Sequence, residues 1–180
     1  LLASSAEEEI ARDFICFAKP DVTVVIADAS NLERNLNLVL QVTELTDRVI
    51  LCLNLMDEAK KKNIEIDLVG LANDLKVPIV PTVAREGKGL LALKKVIARV
   101  ANDQLKLDPF IIEYSTEIEE AIANLVPKLR SEFPDLAAEI NLRWLALRLL
   151  EGDQKIFNSL KQFYGSLEDK DIIGGENGNE

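Results

Sequence analysis

Two apolar periods alternate along the first hundred residues. Ser5 to Ala18 has helical spacing, with Ile10, Phe14 and Phe17 on one face. Ser4 or Ser5 can cap its start, and Glu7, Glu8 and Glu9 suit its positive N-terminal end. Lys19-Pro20-Asp21 breaks that helix, and Val22 to Ala29 follows as a β-branched run, the mark of a strand covered on both faces. Asn31 to Leu45 returns to helical spacing through Leu32, Leu36, Val39, Leu40 and Val42. A strand from Arg48 to Asn54, a Lys60–Lys62 loop and a helix from about Asp67 to Leu75 come next. The strand Val77 to Pro81 and the helix Leu90 to Ala101 complete the alternation, which predicts right-handed crossovers and a parallel sheet.

From Pro109 the strand period disappears. Ser115 to Phe133, Leu136 to Leu150 and Lys155 to Phe163 read as three helices, punctuated by Pro134, Gly152 and Gly165. The division expected is 1–106 for the α/β part, 107–167 for a helical domain, and 168–180 for an acidic, glycine-rich flexible linker. Trp144 shares helical spacing with Leu142, Leu145 and Leu149, which makes it a packing residue.

Composition narrows the chemistry. A hydrophobic fraction of 48% over 180 residues is enough for a core. The net charge of −10 repels nucleic acid, and no basic-aromatic pattern argues otherwise. With no histidine, a histidine general base, a His-zinc site and a Ser-His-Asp triad are all excluded. Cys16 and Cys52, far apart in apolar runs, read as reduced core thiols. No run reaches the ~20 apolar residues of a membrane span, so the chain is expected to be soluble. Its start at Leu1 suggests a piece of a longer protein. The acidic groups Glu7-Glu8-Glu9 and Glu117/Glu119/Glu120 suit helix N-terminal turns better than a metal, and no metal ligand or catalytic residue is assigned.

The sharpest chemical signal is Asn54-Leu55-Met56-Asp57 at the end of a strand. A carboxylate carries two acceptors side by side, and guanine offers a matching pair of donors at N1 and its exocyclic amine. Adenine would leave that carboxylate unpaired, a loss that gives selectivity on the order of 10⁴-fold in such pockets. Asn54 would brace the neighbouring loop and offer its amide to the base, while Leu55 and Met56 would line apolar walls. A capped turn is the alternative for this pattern taken alone. A second loop, Thr82-Val83-Ala84-Arg85 followed by Gly87-Lys88-Gly89, ends the next strand. There the small Ala84 could bring its N–H to the guanine O6. Both loops fall at the carboxyl ends of parallel strands, where ligands of open α/β sheets bind.

These residues resemble the cytoplasmic part of the ferrous iron transport protein B family. The resemblance rests on Glu9-Ile10-Ala11-Arg12-Asp13-Phe14, on Lys19-Pro20-Asp21, and on Asp28-Ala29-Ser30-Asn31-Leu32-Glu33-Arg34-Asn35-Leu36. It continues through Asn54-Leu55-Met56-Asp57-Glu58-Ala59, Val80-Pro81-Thr82-Val83-Ala84-Arg85, and the stretch from Arg143-Trp144 to Leu149-Leu150-Glu151-Gly152-Asp153. The fold this implies is part of a P-loop, Ras-like GTPase sheet with flanking helices, followed by a small all-α domain. The ligand implied is GTP or GDP, with guanine held by Asn54, Leu55, Met56, Asp57, Thr82, Val83, Ala84 and Arg85. A membrane permease domain in the same parent chain, at the cytoplasmic face of the bacterial inner membrane, is the implied partner. The resemblance also implies that the helical domain slows nucleotide release.

The departures bound that reading. A Gly-x-x-x-x-Gly-Lys-Ser/Thr loop, a switch threonine and an Asp-x-x-Gly near the γ-phosphate are all read as absent from the chain. In the family these lie upstream of Leu1, so Mg²⁺ would be held in the parent by residues absent here. Only the last three strands of the usual sheet remain, and the strand around Val24 is expected to expose an edge. Val83 stands where many members place a serine. The rival readings are an interaction module that binds no nucleotide, whose open edge would favour self-association, and another small GTPase.

Overall fold

A computed structural model of the chain describes residues 5–153, 155–156 and 158–160. The described residues fall into two compact units, one within Leu1–Ile15 and Lys19–Ile112, the other within Cys16–Ala18 and Glu113–Glu180.

The first unit is built on a parallel sheet of β1 (Thr23–Asp28), β2 (Val49–Asn54) and β3 (Ile79–Pro81), in the order β1-β2-β3. β2 is central, and Val49 to Leu53 are all buried, as a strand covered on both faces must be. The register sets Asp28 beside Asn54 and Leu53 beside Pro81, so strand ends and their loops come to one edge of the sheet. The helices are α1 (Ala6–Asp13), α2 (Leu32–Leu45), α3 (Met56–Lys61), α4 (Leu68–Leu75) and α5 (Leu90–Ala101). Leu105 and Leu107 still pack on the cluster of Ile50, Val80 and Val100, and the Phe110 N–H donates to the Leu75 carbonyl at 3.0 Å.

Several expectations are corrected. The first helix is α-helical only from Ala6 to Asp13, capped by the Ser5 hydroxyl, and widens to a π-helical turn over Phe14–Ala18. Its predicted apolar face is not buried: Ile10 is 70% and Phe14 58% exposed, whereas Arg12 and Cys16 are buried. Periodicity identifies a face but not what covers it. β1 is covered unevenly: Val25 and Ala27 are buried on one face, while on the other Val24 is half-buried against the cluster of Ile50, Val80 and Val100 and Ile26 is 65% exposed. Among the described residues it pairs with β2 alone and leaves the expected open edge. The Lys60–Lys62 segment is largely helical, because Lys60 and Lys61 form the last turn of α3.

The second unit contains α6 (Thr116–Glu132), α7 (Pro134–Glu139) and α8 (Leu142–Leu150). The single helix expected over Leu136–Leu150 is two. The backbone is extended at Ile140, and the Asn141 carboxamide oxygen accepts from the Arg143 and Trp144 N–H groups to start α8. Trp144 is buried beside Leu142 and Leu145. Glu119 on α6 takes both terminal nitrogens of Arg143, at 2.5 and 2.7 Å, and also accepts from the Tyr114 N–H at 2.9 Å. Chiefly the Arg143 hydrogen bonds lower its pKa from 4.5 to about 2. Part of the helix expected at Lys155–Phe163, and the linker 168–180, lie outside the described residues.

Candidate functional site

The two loops singled out in the sequence meet at the ends of β2 and β3. Asn54, the last residue of β2, accepts two hydrogen bonds on its Oδ1, from the Thr82 hydroxyl at 3.1 Å and the Ala84 N–H at 3.0 Å. Backbone bonds run alongside: Thr82 N–H to the Leu53 carbonyl at 2.8 Å, and Met56 N–H to the Thr82 carbonyl at 3.3 Å. Thr82 is 2% exposed, and its hydroxyl also lies 3.4 Å from the Cys52 thiol. Asn54 Oδ1 therefore bridges the two loops.

Leu55 takes a left-handed conformation, φ 61° and ψ 33°, immediately before α3. A branched side chain there costs about 1–2 kcal/mol, and such strain collects at functional loops. The turn puts Asp57 in the first turn of α3, with one oxygen exposed to neighbours and the other buried. Asp57 Oδ2 is ion-paired with Arg85, whose Nη2 also reaches Glu58 Oε1 at 3.4 Å. Asp57 Oδ1 is buried and has no hydrogen-bond partner among the described residues. A buried carboxylate oxygen without a donor is costly, and a ligand N–H would satisfy it.

The second loop has its own geometry. Ala84–Glu86 forms one 3₁₀ turn, and the Val83 N–H donates to the Lys88 carbonyl at 3.1 Å. Gly89 has φ +80°, and a Cβ there would collide with the Pro81 carbonyl, so the chain can re-enter α5 only through glycine. Lys88 bonds Glu86 at 2.6 Å, and that bond and charge raise its pKa, with a smaller pull from Asp57. The Ala84 N–H, expected to serve O6, is directed at Asn54 Oδ1, so it would have to be shared or redirected toward a base. Leu55, Met56 and Asp57 are half-buried, Val83 is buried, and Ala84 and Arg85 are exposed.

Two features escaped the sequence reading. Asp67-Leu68-Val69-Gly70 does match Asp-x-x-Gly, but on the wrong element for a phosphate switch. Asp67 caps α4 instead, accepting from the Val69 and Gly70 N–H groups at 3.1 and 2.9 Å. The Arg85–Asp57 pair was not anticipated either; opposite charges on the two candidate loops were its only signal. Asp28 caps the 3₁₀ turn Ala29–Asn31: it accepts from the Ser30 N–H and Asn31 Nδ2, both at 2.7 Å, and chiefly the Asn31 bond lowers its pKa. A groove of about 690 Å³ runs between the Ala29–Arg34 segment and residues 64–74, separate from the base-reading loops. No cluster of three or more possible metal ligands of the His, Cys, Asp and Glu types occurs among the described residues. Among them, too, no helix is long and apolar enough to cross a membrane.

The chain matches the family model for ferrous iron transport protein B over residues 1–97 and that for the FeoB cytosolic helical domain over 114–173. It is 38% identical over 151 residues to the Fe(2+) transporter FeoB of Salmonella choleraesuis, and 37% identical over the same length to that of Escherichia coli. In both cases the match covers 83% of this chain and 18% of the relative. Among solved structures, the cytosolic domain of T. maritima FeoB in a GDP form superposes with a TM-score of 0.76 at 33% identity, covering 96% of this chain and 66% of that one. Its GMPPNP form gives 0.75 at 32% identity, covering 95% and 67%. The FeoB G-domain of Methanococcus jannaschii gives 0.55 at 46% identity over 56% of this chain and 65% of that one.

Proposed function

The chain belongs to the ferrous iron transport protein B family, and from that premise we propose that its first unit is the base-reading part of a GTP-binding domain. Asn54 ties the two loops, Asp57 pairs with the N1 and exocyclic amine of guanine, and the Asn54 amide nitrogen faces the base. Leu55, Met56 and Val83 supply apolar walls, and Thr82, Ala84 and Arg85 complete the second loop. The observation that carries this reading is the buried, partnerless Oδ1 of Asp57 beside two loops bridged by Asn54. The GDP and GMPPNP forms of the T. maritima cytosolic domain support a guanine nucleotide as the ligand.

The matched relatives are far longer than this chain, which spans 18% of their length. The transport function therefore belongs to a longer protein. In it, a phosphate-binding loop and Mg²⁺ lie upstream, the second unit follows as a helical domain, and a linker leads to a membrane permease at the cytoplasmic face. GTP binding and hydrolysis there shift the domain between conformations that gate Fe(II) uptake. Calorimetric titration of GDP into this chain and into a version extended upstream through the phosphate loop tests the reading. Tight binding in the extended protein, lost on Asp57→Ala and not reproduced by ADP, is the expected result. An extended protein that ignores GDP would refute it.

One observation favours a second reading. The open edge of β1, with Ile26 exposed, suits pairing between copies of an interaction module. A concentration-dependent dimer that Ile26→Lys dissolves, in a protein that binds no nucleotide, would establish it.

A further inference from the structure

The pairing of Arg85 with Asp57 has a chemical meaning that follows from the base-reading role, and rests on it. The edge of guanine that a carboxylate reads is itself a guanidine: N1, C2 and the exocyclic nitrogen form the same planar fork of donors that ends an arginine side chain. In the structure Asp57 holds a guanidinium, that of Arg85, contributed by the opposite base-reading loop. We infer that Arg85 is an internal competitor for the guanine-reading carboxylate, so that base binding displaces it and guanine affinity is set by that exchange.

The geometry indicates why a base wins and why the exchange is easy. Arg85 engages Oδ2 and leaves Oδ1 buried without a partner, whereas guanine supplies one donor to each oxygen. The exchange therefore replaces one charge-assisted bond by two. The displaced guanidinium keeps a resting place, because Nη2 already reaches Glu58 Oε1 at 3.4 Å and Nε lies 4.0 Å from Glu86 Oε1. Its tether is short. Arg85 directly follows Ala84, whose N–H is fixed to Asn54 Oδ1, so the guanidinium is held close to Asp57 at high effective concentration. Adenine has no such fork and cannot take over the carboxylate once arginine leaves it. Arg85 is thus a positioning and affinity-setting residue that keeps the site exchangeable, in contrast to one that simply adds a contact to the base.

The test uses the 180-residue chain, GMP and AMP up to several millimolar, and backbone NMR shifts at residues 54–57 and 82–85. Arg85→Ala should tighten GMP binding about two- to five-fold, the range an exposed ion pair supports. In an Asp57→Ala background the same substitution should have no effect. Methylguanidinium at tens of millimolar should return the Arg85→Ala protein toward the parent affinity while leaving the parent unchanged, a response no loss of fold would produce. GMP affinity that is equal or weaker in Arg85→Ala, with GMP still preferred over AMP, would overturn the competitor role and leave base reading intact. Loops that fail to distinguish GMP from AMP in both proteins would overturn base reading and this inference together.

Discussion

Each unit contains a two-point polar clamp, and the two clamps differ in kind. In the α/β unit, neutral Asn54 joins loops that lie 28 and 30 residues apart, through Thr82 and Ala84. In the helical unit, charged Arg143 joins α8 to Glu119 on α6, 24 residues away. The neutral clamp carries no titrating group, and the acidic Asp57 beside it is paired with Arg85. The ionic clamp is stronger per bond but half-exposed, so acid and salt weaken it. A neutral brace suits a site that must pair one particular carboxylate; an ionic brace suits a helix contact that need only be tight near neutral pH.

The comparison can be broken hardest at Gly89. Gly89→Ala forces a Cβ against the Pro81 carbonyl at a left-handed φ and should destabilise the α/β unit by at least about 2 kcal/mol. Because Trp144, the single tryptophan, lies in the helical unit, tryptophan fluorescence reports that unit, and amide hydrogen exchange along β2 and β3 reports the other. A loss of exchange protection confined to the sheet is the expected pattern. Asn54→Ala comes next, at about 1–3 kcal/mol, because it strands a buried hydroxyl and an N–H. Its effect on sheet exchange should be the same at pH 4 and pH 7.

Acid separates the clamps more finely. The pKa of Glu119 is depressed in the folded chain, to about 2 from 4.5, so its contribution is complete above about pH 4.5 and fades as pH falls toward 2. The Trp144 fluorescence transition should therefore shift with pH in that window, and Glu119→Gln should flatten the dependence. The smallest effect is a near cancellation. Leu55→Gly removes left-handed strain of about 1–2 kcal/mol against about 0.5–1 kcal/mol of added chain entropy and about 1 kcal/mol of lost burial from a half-buried side chain, so denaturant melts should move by less than about 1 kcal/mol.

Much of the scaffold was legible because local period and strand order carry it. The β2 run, its parallel neighbours and the two loops at their ends followed from runs of Val, Ile and Leu closed by Asn54 and Pro81. What escaped depends on contacts distant in sequence. Nothing local says that Ile10, Phe14 and Ile26 stay exposed while Arg12 is buried. The apolar spacing on either side of Asn141 hid the break between α7 and α8. The Arg85–Asp57 pair spans 28 residues and needed both loops placed before it could be seen.

The central claim is that Asp57 reads a donor pair on guanine, and a swap of ligand and side chain tests it most directly. Asp57→Asn offers one donor and one acceptor, which matches xanthine, whose C2 carries a carbonyl in place of the amine. In the upstream-extended protein, Asp57→Asn should lose GDP and gain xanthosine diphosphate, with the parent protein showing the opposite preference. Equal loss of both ligands, or unchanged GDP binding, would contradict it.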